Sequence, residues 1–531
     1  MKRTYYLSLA LLAASTVSAQ EVADAYRYTK TDIVGTARYM GMAGAFGALG
    51  GDISTLSQNP AGIGIYRSSE VVATLSLGGV EANSNMPSGS VASGPDLKNG
   101  KFNINANNLG YVGTFKTGRR SGLLNFNVGF AFNRQGGEKR KYVVTQNYMK
   151  SSLSDYIAYR SNEWGGTDAG LLIDNGSNSN PYEDTNAPWL TIMGYNTGVI
   201  NYDKATSSFQ SLYPTLYAGG DLEVREKQRI DEYTFNVGGN FSNIVYWGLG
   251  IGVMDLNYNT ENYYDEFYWE GNDPSVENGT MNYRLSNFLK TTGTGINVKG
   301  GVIIRPTNAL RIGVAVHTPT WYSMTDRYYG VMQGFNQPQG TPWEMVYSPE
   351  GNFDYKLRTP WQYQFSAAYV VGKYGLLSFE YDLMDFSDIH LSEEGGYPAS
   401  FQGQNDDISK NLKRMNTFKV GAEIRLSQVT SMRLGYANQA SAYDDAMKNN
   451  QAQVYAAGTI PNYVVDRGTQ YYTGGFGYRA GSIFADIAFV WKTNRQDAYL
   501  FPTIQNTDVQ SERSRLHTTS YKFLLSLGYK F

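Results

Sequence analysis

The sequence predicts an all-β protein, a 14-stranded antiparallel transmembrane β-barrel with an N-terminal hatch, or plug, in its lumen. Three observations lead there. Apolar and polar residues alternate strictly over many short segments, the period of two that a strand with unlike faces requires. The connections between those segments are alternately short and long, as in outer-membrane barrels. No run beyond residue 19 approaches the roughly 18 apolar residues a spanning helix needs, so a chain in a membrane has to close its sheet. Composition agrees. Of 531 residues, 17% are charged and 14% aromatic, with 43 Tyr and 58 Gly. The absence of cysteine excludes disulfide staples, thiol nucleophiles and thiolate metal sites. A formal charge of -2 excludes a general nucleic-acid binder.

Taken in order, residues 1–19 read as a signal peptide. Lys2 and Arg3 supply its positive end, Leu7 to Ala14 its apolar core, and Val17-Ser18-Ala19 a small-residue cleavage site before Gln20. Residues 20–66 break the strand pattern. They hold eight glycines between Gly35 and Gly64 and the run Asn59-Pro60-Ala61-Gly62, which suits tight turns and close backbone approach. A short helix is expected over Arg38 to Leu49, with Asp52 capping the next turn. This segment is expected to fold into the lumen as a compact plug. The barrel then occupies 67–531.

Its strands are expected near 68–80, 101–117, 122–134, 230–242, 246–262, 280–303, 309–325, 356–371, 375–386, 413–427, 430–438, 469–478, 482–493 and 517–531. In the third, Leu124, Phe126, Val128, Phe130 and Phe132 oppose Asn125, Asn127, Gly129, Ala131 and Asn133. Alternation alone fits a soluble sandwich as well. Loop lengths decide, because a sandwich has no reason to keep its long connections at one end. Fourteen strands with both termini on the short-turn side place those termini in the periplasm of a Gram-negative cell. A long extracellular insertion is expected at about 135–229, with a helix over Tyr148 to Arg160.

The run Arg38-Tyr39-Met40-Gly41-Met42-Ala43-Gly44-Ala45-Phe46, followed by Asp52 and Asn59-Pro60-Ala61-Gly62, resembles the amino terminus of the outer-membrane long-chain fatty acid and aromatic hydrocarbon transporter family, in its Bacteroidetes-type branch. Phe379-Glu380-Tyr381-Asp382 and Arg433-Leu434-Gly435-Tyr436 resemble later strands of that family. The resemblance implies a 14-stranded barrel with a hatch. Gly41, Gly44, Asn59, Pro60, Ala61 and Gly62 would form the hatch motif, and Gly129 on the third strand would lie in a lateral opening. It also implies passive uptake of hydrophobic small molecules, long-chain fatty acids or similar. The outer loops are longer than is typical of the family, which motivates the alternative of a non-transport barrel that docks a partner protein or surface cargo.

Inward-facing charge is expected from Arg311, His317, Glu380, Asp382, Lys419, Glu423, Arg425, Arg433 and Asp486, paired across strands as a polar network that fixes the hatch. Nothing specifies an enzyme: no nucleophile elbow occurs. His317, His390 and His517 lack metal-ligand spacing, so no metal and no cofactor are expected. Expected partners are a hydrophobic substrate, outer-membrane lipid, lipopolysaccharide against loop acids such as Glu393, Glu394, Asp406 and Asp407, and the barrel assembly machinery through the terminal Phe531; the barrel is expected to be monomeric.

Overall fold

The structure is a computed structural model, and it describes residues 22–85, 103–137, 139–166, 169–173, 180–211, 218–268, 280–335, 345–394 and 401–531. The leader assigned to residues 1–19 lies outside them. Fourteen staves form one closed antiparallel sheet. The first strand, Glu70–Asn85, pairs with the second, Asn103–Lys116, and also with the last, Ser514–Lys530, which seals the cylinder. Backbone bonds between Ser69 and Phe531, 3.0 and 3.1 Å, finish the seam.

Polarity is inverted relative to a soluble protein. On the last strand Tyr521, Phe523, Leu525, Leu527 and Tyr529 are exposed outward, while Ser520, Leu524 and Ser526 are buried inward. Phe235, Leu249 and Phe523 are 59, 54 and 56% exposed. Such a continuous apolar band is stable only against lipid.

Several strands run further than periodicity predicted. The third, Leu123–Gly136, continues as Lys139–Met149, and its neighbour spans Ala218–Phe241. The flanks of the expected 135–229 insertion are therefore strand. Between them lies a cap built on the helices Leu153–Trp164 and Trp189–Asn196. The first cap helix starts five residues later than expected, because Ser152 and Asp155 form a capping box that fixes its start. Its anchor is Glu266, fully buried on the fifth strand, Val245–Tyr268. That carboxylate accepts from Tyr264, Tyr268 and Tyr283 hydroxyls at 2.7, 2.6 and 3.0 Å and from Leu153 N–H at 3.1 Å.

The seventh and eighth staves are interrupted side by side. The seventh is Leu310–His317 then Trp321–Gly334; the eighth is Gly351–Arg358 then Gln362–Val371. Pro319 and Pro360 sit in the breaks, where neither can donate to a ladder. Threonine hydroxyls replace the missing bonds. Thr320 N–H donates to Thr359 Oγ1 at 2.8 Å, Val298 N–H to Thr318 Oγ1 at 3.0 Å, and Asn297 Nδ2 to Thr320 Oγ1 at 2.9 Å.

Candidate functional site: the hatch and the chamber above it

Residues 30–66 lie inside the cylinder with little regular structure. The expected Arg38 to Leu49 helix shrinks to Ala37–Met40, because Ala43 and Gly44 take positive φ of 50° and 77°. Thr36 caps it, and Asp52 binds both Thr36 Oγ1, at 2.8 Å, and Ser54 N–H, at 3.0 Å. A segment so short of helix and strand has to satisfy its buried backbone elsewhere. It does so on the wall. Asn107 Nδ2 donates to Gly35 O at 2.8 Å, Asn236 Nδ2 to Leu56 O at 2.9 Å and Asn125 Nδ2 to Tyr66 O at 2.9 Å. Arg311 Nη1 donates to Leu49 O at 2.9 Å, and Lys299 Nζ to Ser57 O at 2.8 Å. Glu380 Oε2 accepts from Gly47 N–H at 2.8 Å, and His317 Nε2 bonds Gln58 O at 2.6 Å.

The Asn-Pro-Ala turn is the hinge of this packing. Asn59, buried, donates through Nδ2 to Gly47 O at 2.7 Å and accepts from Ala61 N–H at 3.1 Å, capping the 3₁₀ turn Pro60–Ile65. Gly62 accepts from Gly51 N–H at 3.1 Å. The wall is cut to fit. A Cβ on Gly301 would overlap Asn59 Oδ1, and one on Gly248 would overlap the Pro60 carbonyl. Gly41 fits less tightly, since a Cβ there would stand 3.4 Å from both Arg433 Cβ and Gly475 Cα.

The structure gathers most of the charged residues singled out in the sequence into two clusters. Lys419 bonds Glu380 and Asp382, both at 2.7 Å, and Gln58 joins through Glu380. Arg433 bonds Glu423 at 2.7 Å and also Asp486, while Arg38 of the hatch reaches Glu423 at 3.2 Å. Burial opposes the charge on Arg38, but Glu423 and Asp52 raise its pKa above the ordinary guanidinium value. Arg425 does not belong to the network. It is exposed at the turn end, two residues past Glu423. The wall is closed at Gly129. The ladders on both of its sides run unbroken through it, and the missing side chain is replaced by Leu56 and Ile63, 3.0 and 2.9 Å from where a Cβ would stand. The side-by-side interruption of the seventh and eighth staves lies elsewhere on the wall, at Pro319 and Pro360.

Sequence reasoning missed three contributors. Lys299 pairs with buried Glu232. Lys492 holds Asp32 at 2.8 Å. The inward asparagines 107, 125, 127 and 236 carry much of the hatch. Asparagine recurring at alternate strand positions was the available signal.

Above the hatch is an apolar chamber lined by Met254, Leu256, Tyr258, Met324, Phe386 and Tyr443. The helix Val22–Thr29 fills it. Tyr26 packs on Phe386 and Tyr443 with ring centroids 5.2 and 4.7 Å apart, and Tyr28 on Tyr258 at 5.8 Å. A polar cavity of about 150 Å³ adjoins the helix. Each cation lining it is paired: Arg27 with Asp24, Lys30 with Asp466, Arg140 with Glu226 and Lys492 with Asp32. A second cavity, about 140 Å³, lies between the hatch and the wall and reaches Thr318, Thr320, Thr359 and Pro360 at the double interruption.

A closed cylinder, a hatch bonded to its wall and an apolar chamber above it are the features to compare. A Pseudomonas aeruginosa FadL homologue superposes with a TM-score of 0.52 at 14% identity, over 94% of this chain and 99% of that one. The P. putida toluene transporter TodX gives 0.51 at 11% identity, over 94% and 99%. This chain has the fold of those barrels. No family model matches the sequence, and no curated protein does.

Proposed function

We propose that the protein is an outer-membrane channel for passive uptake of hydrophobic small molecules, long-chain fatty acids or similar, with its short turns and both barrel termini in the periplasm. The observation that carries this reading is the Tyr- and Met-lined chamber inside a plugged membrane cylinder, occupied by the chain's own helix Val22–Thr29. An apolar solute gains roughly 0.8 kcal/mol per buried CH₂ on entering such a chamber, and methionines let it adapt to shape. To enter, it displaces Tyr26 and Tyr28. The paired cations beside the helix favour uncharged members of the substrate class. The likeness to a fold that includes a toluene transporter supports the reading.

The exit we favour is sideways, at the Pro319 and Pro360 interruption. It adjoins the second cavity, and Asn297 beside it pairs with Gly252, level with the upper edge of the apolar band. The hatch motif then keeps the vertical path shut. Transport is down a gradient or drawn by capture below. Phe531, exposed toward lipid at the seam, suits recognition by the barrel assembly machinery, and the loop acids suit lipopolysaccharide contact. The barrel works as a monomer in this reading.

Liposomes carrying the purified protein test it. Flux of a hydrophobic probe without sugar flux is expected. The chain has no cysteine, so Thr320→Cys with Thr359→Cys gives one engineered disulfide, expected to stop uptake until reduced. Equal flux in both redox states removes the sideways exit; no flux from the unmodified protein removes the channel.

A further inference from the structure

We propose that the short-turn mouth of the barrel docks the acidic surface of a soluble protein. The inference takes from the proposed function only that this mouth faces the periplasm. The connections at this end, 67–69, 116–122, 242–244, 305–309, 372–374, 425–429 and 479–482, contain no Asp or Glu. One turn alone carries Lys116, Arg119 and Arg120, all exposed. Arg67, Lys373, Arg425 and Arg479 are also exposed, and Arg305 is half-buried. None of these side chains makes an ion pair with another of the described residues. The chain holds 45 Lys+Arg against 47 Asp+Glu; setting these eight aside leaves 37 against 47, or -10 for the remainder. A nearly neutral protein has thus segregated its charge, with an unneutralised positive rim at one end.

Strand register says where the rim points. Lys116 lies two residues from Thr114 and four from buried Val112, Arg425 two beyond Glu423, Arg479 two beyond buried Gly477, and Arg305 two beyond buried Ile303. By the period of two, all four stand on the lumen side. They circle the opening beneath the hatch and face away from the lipid. Arg311, bonded to Leu49 O, extends the same field inward. Like charges held together without counter-charge repel one another, and a mouth with low-dielectric walls focuses their potential and speeds the arrival of anions. Phospholipid headgroups lie outside the wall, on the wrong face of these strands. A small anion would engage one or two of the groups. A folded surface bearing several carboxylates engages the ring.

The test uses the full-length barrel in zwitterionic nanodiscs and a fluorescent 20-residue polyglutamate peptide as the probe. Lys116→Glu, Arg425→Glu and Arg479→Glu together should weaken peptide binding about tenfold or more, and binding should fall steeply with salt. Reversing the exposed cap lysines, Lys150→Glu with Lys204→Glu, should leave it unchanged. Equal binding by the triple variant overturns the proposal. So does enrichment of phosphatidylglycerol around the barrel through the same residues without peptide binding, which assigns the rim to the membrane. A tag in the 116–122 turn that is labelled from outside intact cells overturns the orientation; peptide binding is read independently of solute flux, so failure of uptake leaves this result standing.

Discussion

Asn59→Ala separates the hatch from the barrel as a structural unit. The side chain makes two bonds to backbone, donating to Gly47 O at 2.7 Å and accepting from Ala61 N–H at 3.1 Å, both buried. Truncation leaves a carbonyl and an amide without these partners, and each such loss costs about 1–3 kcal/mol. Because water can partly occupy the space left by the side chain, the sum should fall at about 2–4 kcal/mol. That cost falls on the local state that seats the hatch, while the wall strands keep their ladders. At about 1.4 kcal/mol per tenfold, the unseated state becomes roughly 30- to 1,000-fold more populated. Hydrogen exchange across 36–66 in detergent should accelerate by that factor, with the barrel strands unchanged and the folded band on unheated gels retained. Unchanged protection in 36–66 would refute the argument that this side chain seats the hatch. Faster exchange in every strand would refute its independence from the barrel.

Other expectations follow from the same contacts. Gly248→Ala should disrupt hatch seating more than Gly129→Ala, since its Cβ meets the Pro60 backbone whereas that of Gly129 meets only the ends of Leu56 and Ile63; exchange over 36–66 ranks the two. Glu266→Gln puts an amide donor among four donors and should loosen the cap by about 2–4 kcal/mol, read as faster protease cleavage within 150–211 and an unchanged barrel. Tyr26→Ala with Tyr28→Ala empties part of the chamber and should raise the rate of hydrophobic uptake; a slower rate would show that the helix assists passage. Ile251→Lys, in the apolar band, should cost about 2–4 kcal/mol of barrel stability in lipid, and Asn259→Lys on the same face close to nothing, by urea titration in vesicles.

The count of strands was legible because lipid imposes one rule on every stave, polar in and apolar out. Inward placement of Glu380, Lys419, Glu423 and Arg433 followed from the same rule. Their partners did not. Arg38 meets Glu423 across 385 positions, and no local pattern announces such a contact. A glycine on a lumen face, such as Gly129, looks the same in sequence whether it frees a kink or admits a plug. Only the facing atoms of Leu56 and Ile63 distinguish them.

The strand ends were misjudged for a reason that the structure makes explicit. On the fifth strand Leu249, Ile251 and Val253 face outward and are exposed. Further along, Leu256, Tyr258 and Tyr264 face inward and are buried, while Asn257, Asn259 and Glu261 face out. The fourth strand reverses likewise, with Val237 and Phe235 outward and Ile230, Val224 and Leu222 inward. Below the reversal the outer face meets lipid; above it the outer face meets water and the inner face packs on the chamber and cap. A pattern sought with one phase ends where the phase changes, and the expected fourth strand accordingly stops at residue 230 although the strand runs on to Ala218, whereas the expected fifth strand, 246–262, carries through its reversal. Val245 to Val253 is nine residues, within the range for a tilted strand crossing the hydrocarbon. The reversal therefore marks the edge of the bilayer, and it places Met254, Leu256 and Tyr258 of the chamber just beyond that edge, where an apolar solute leaving water would first find cover.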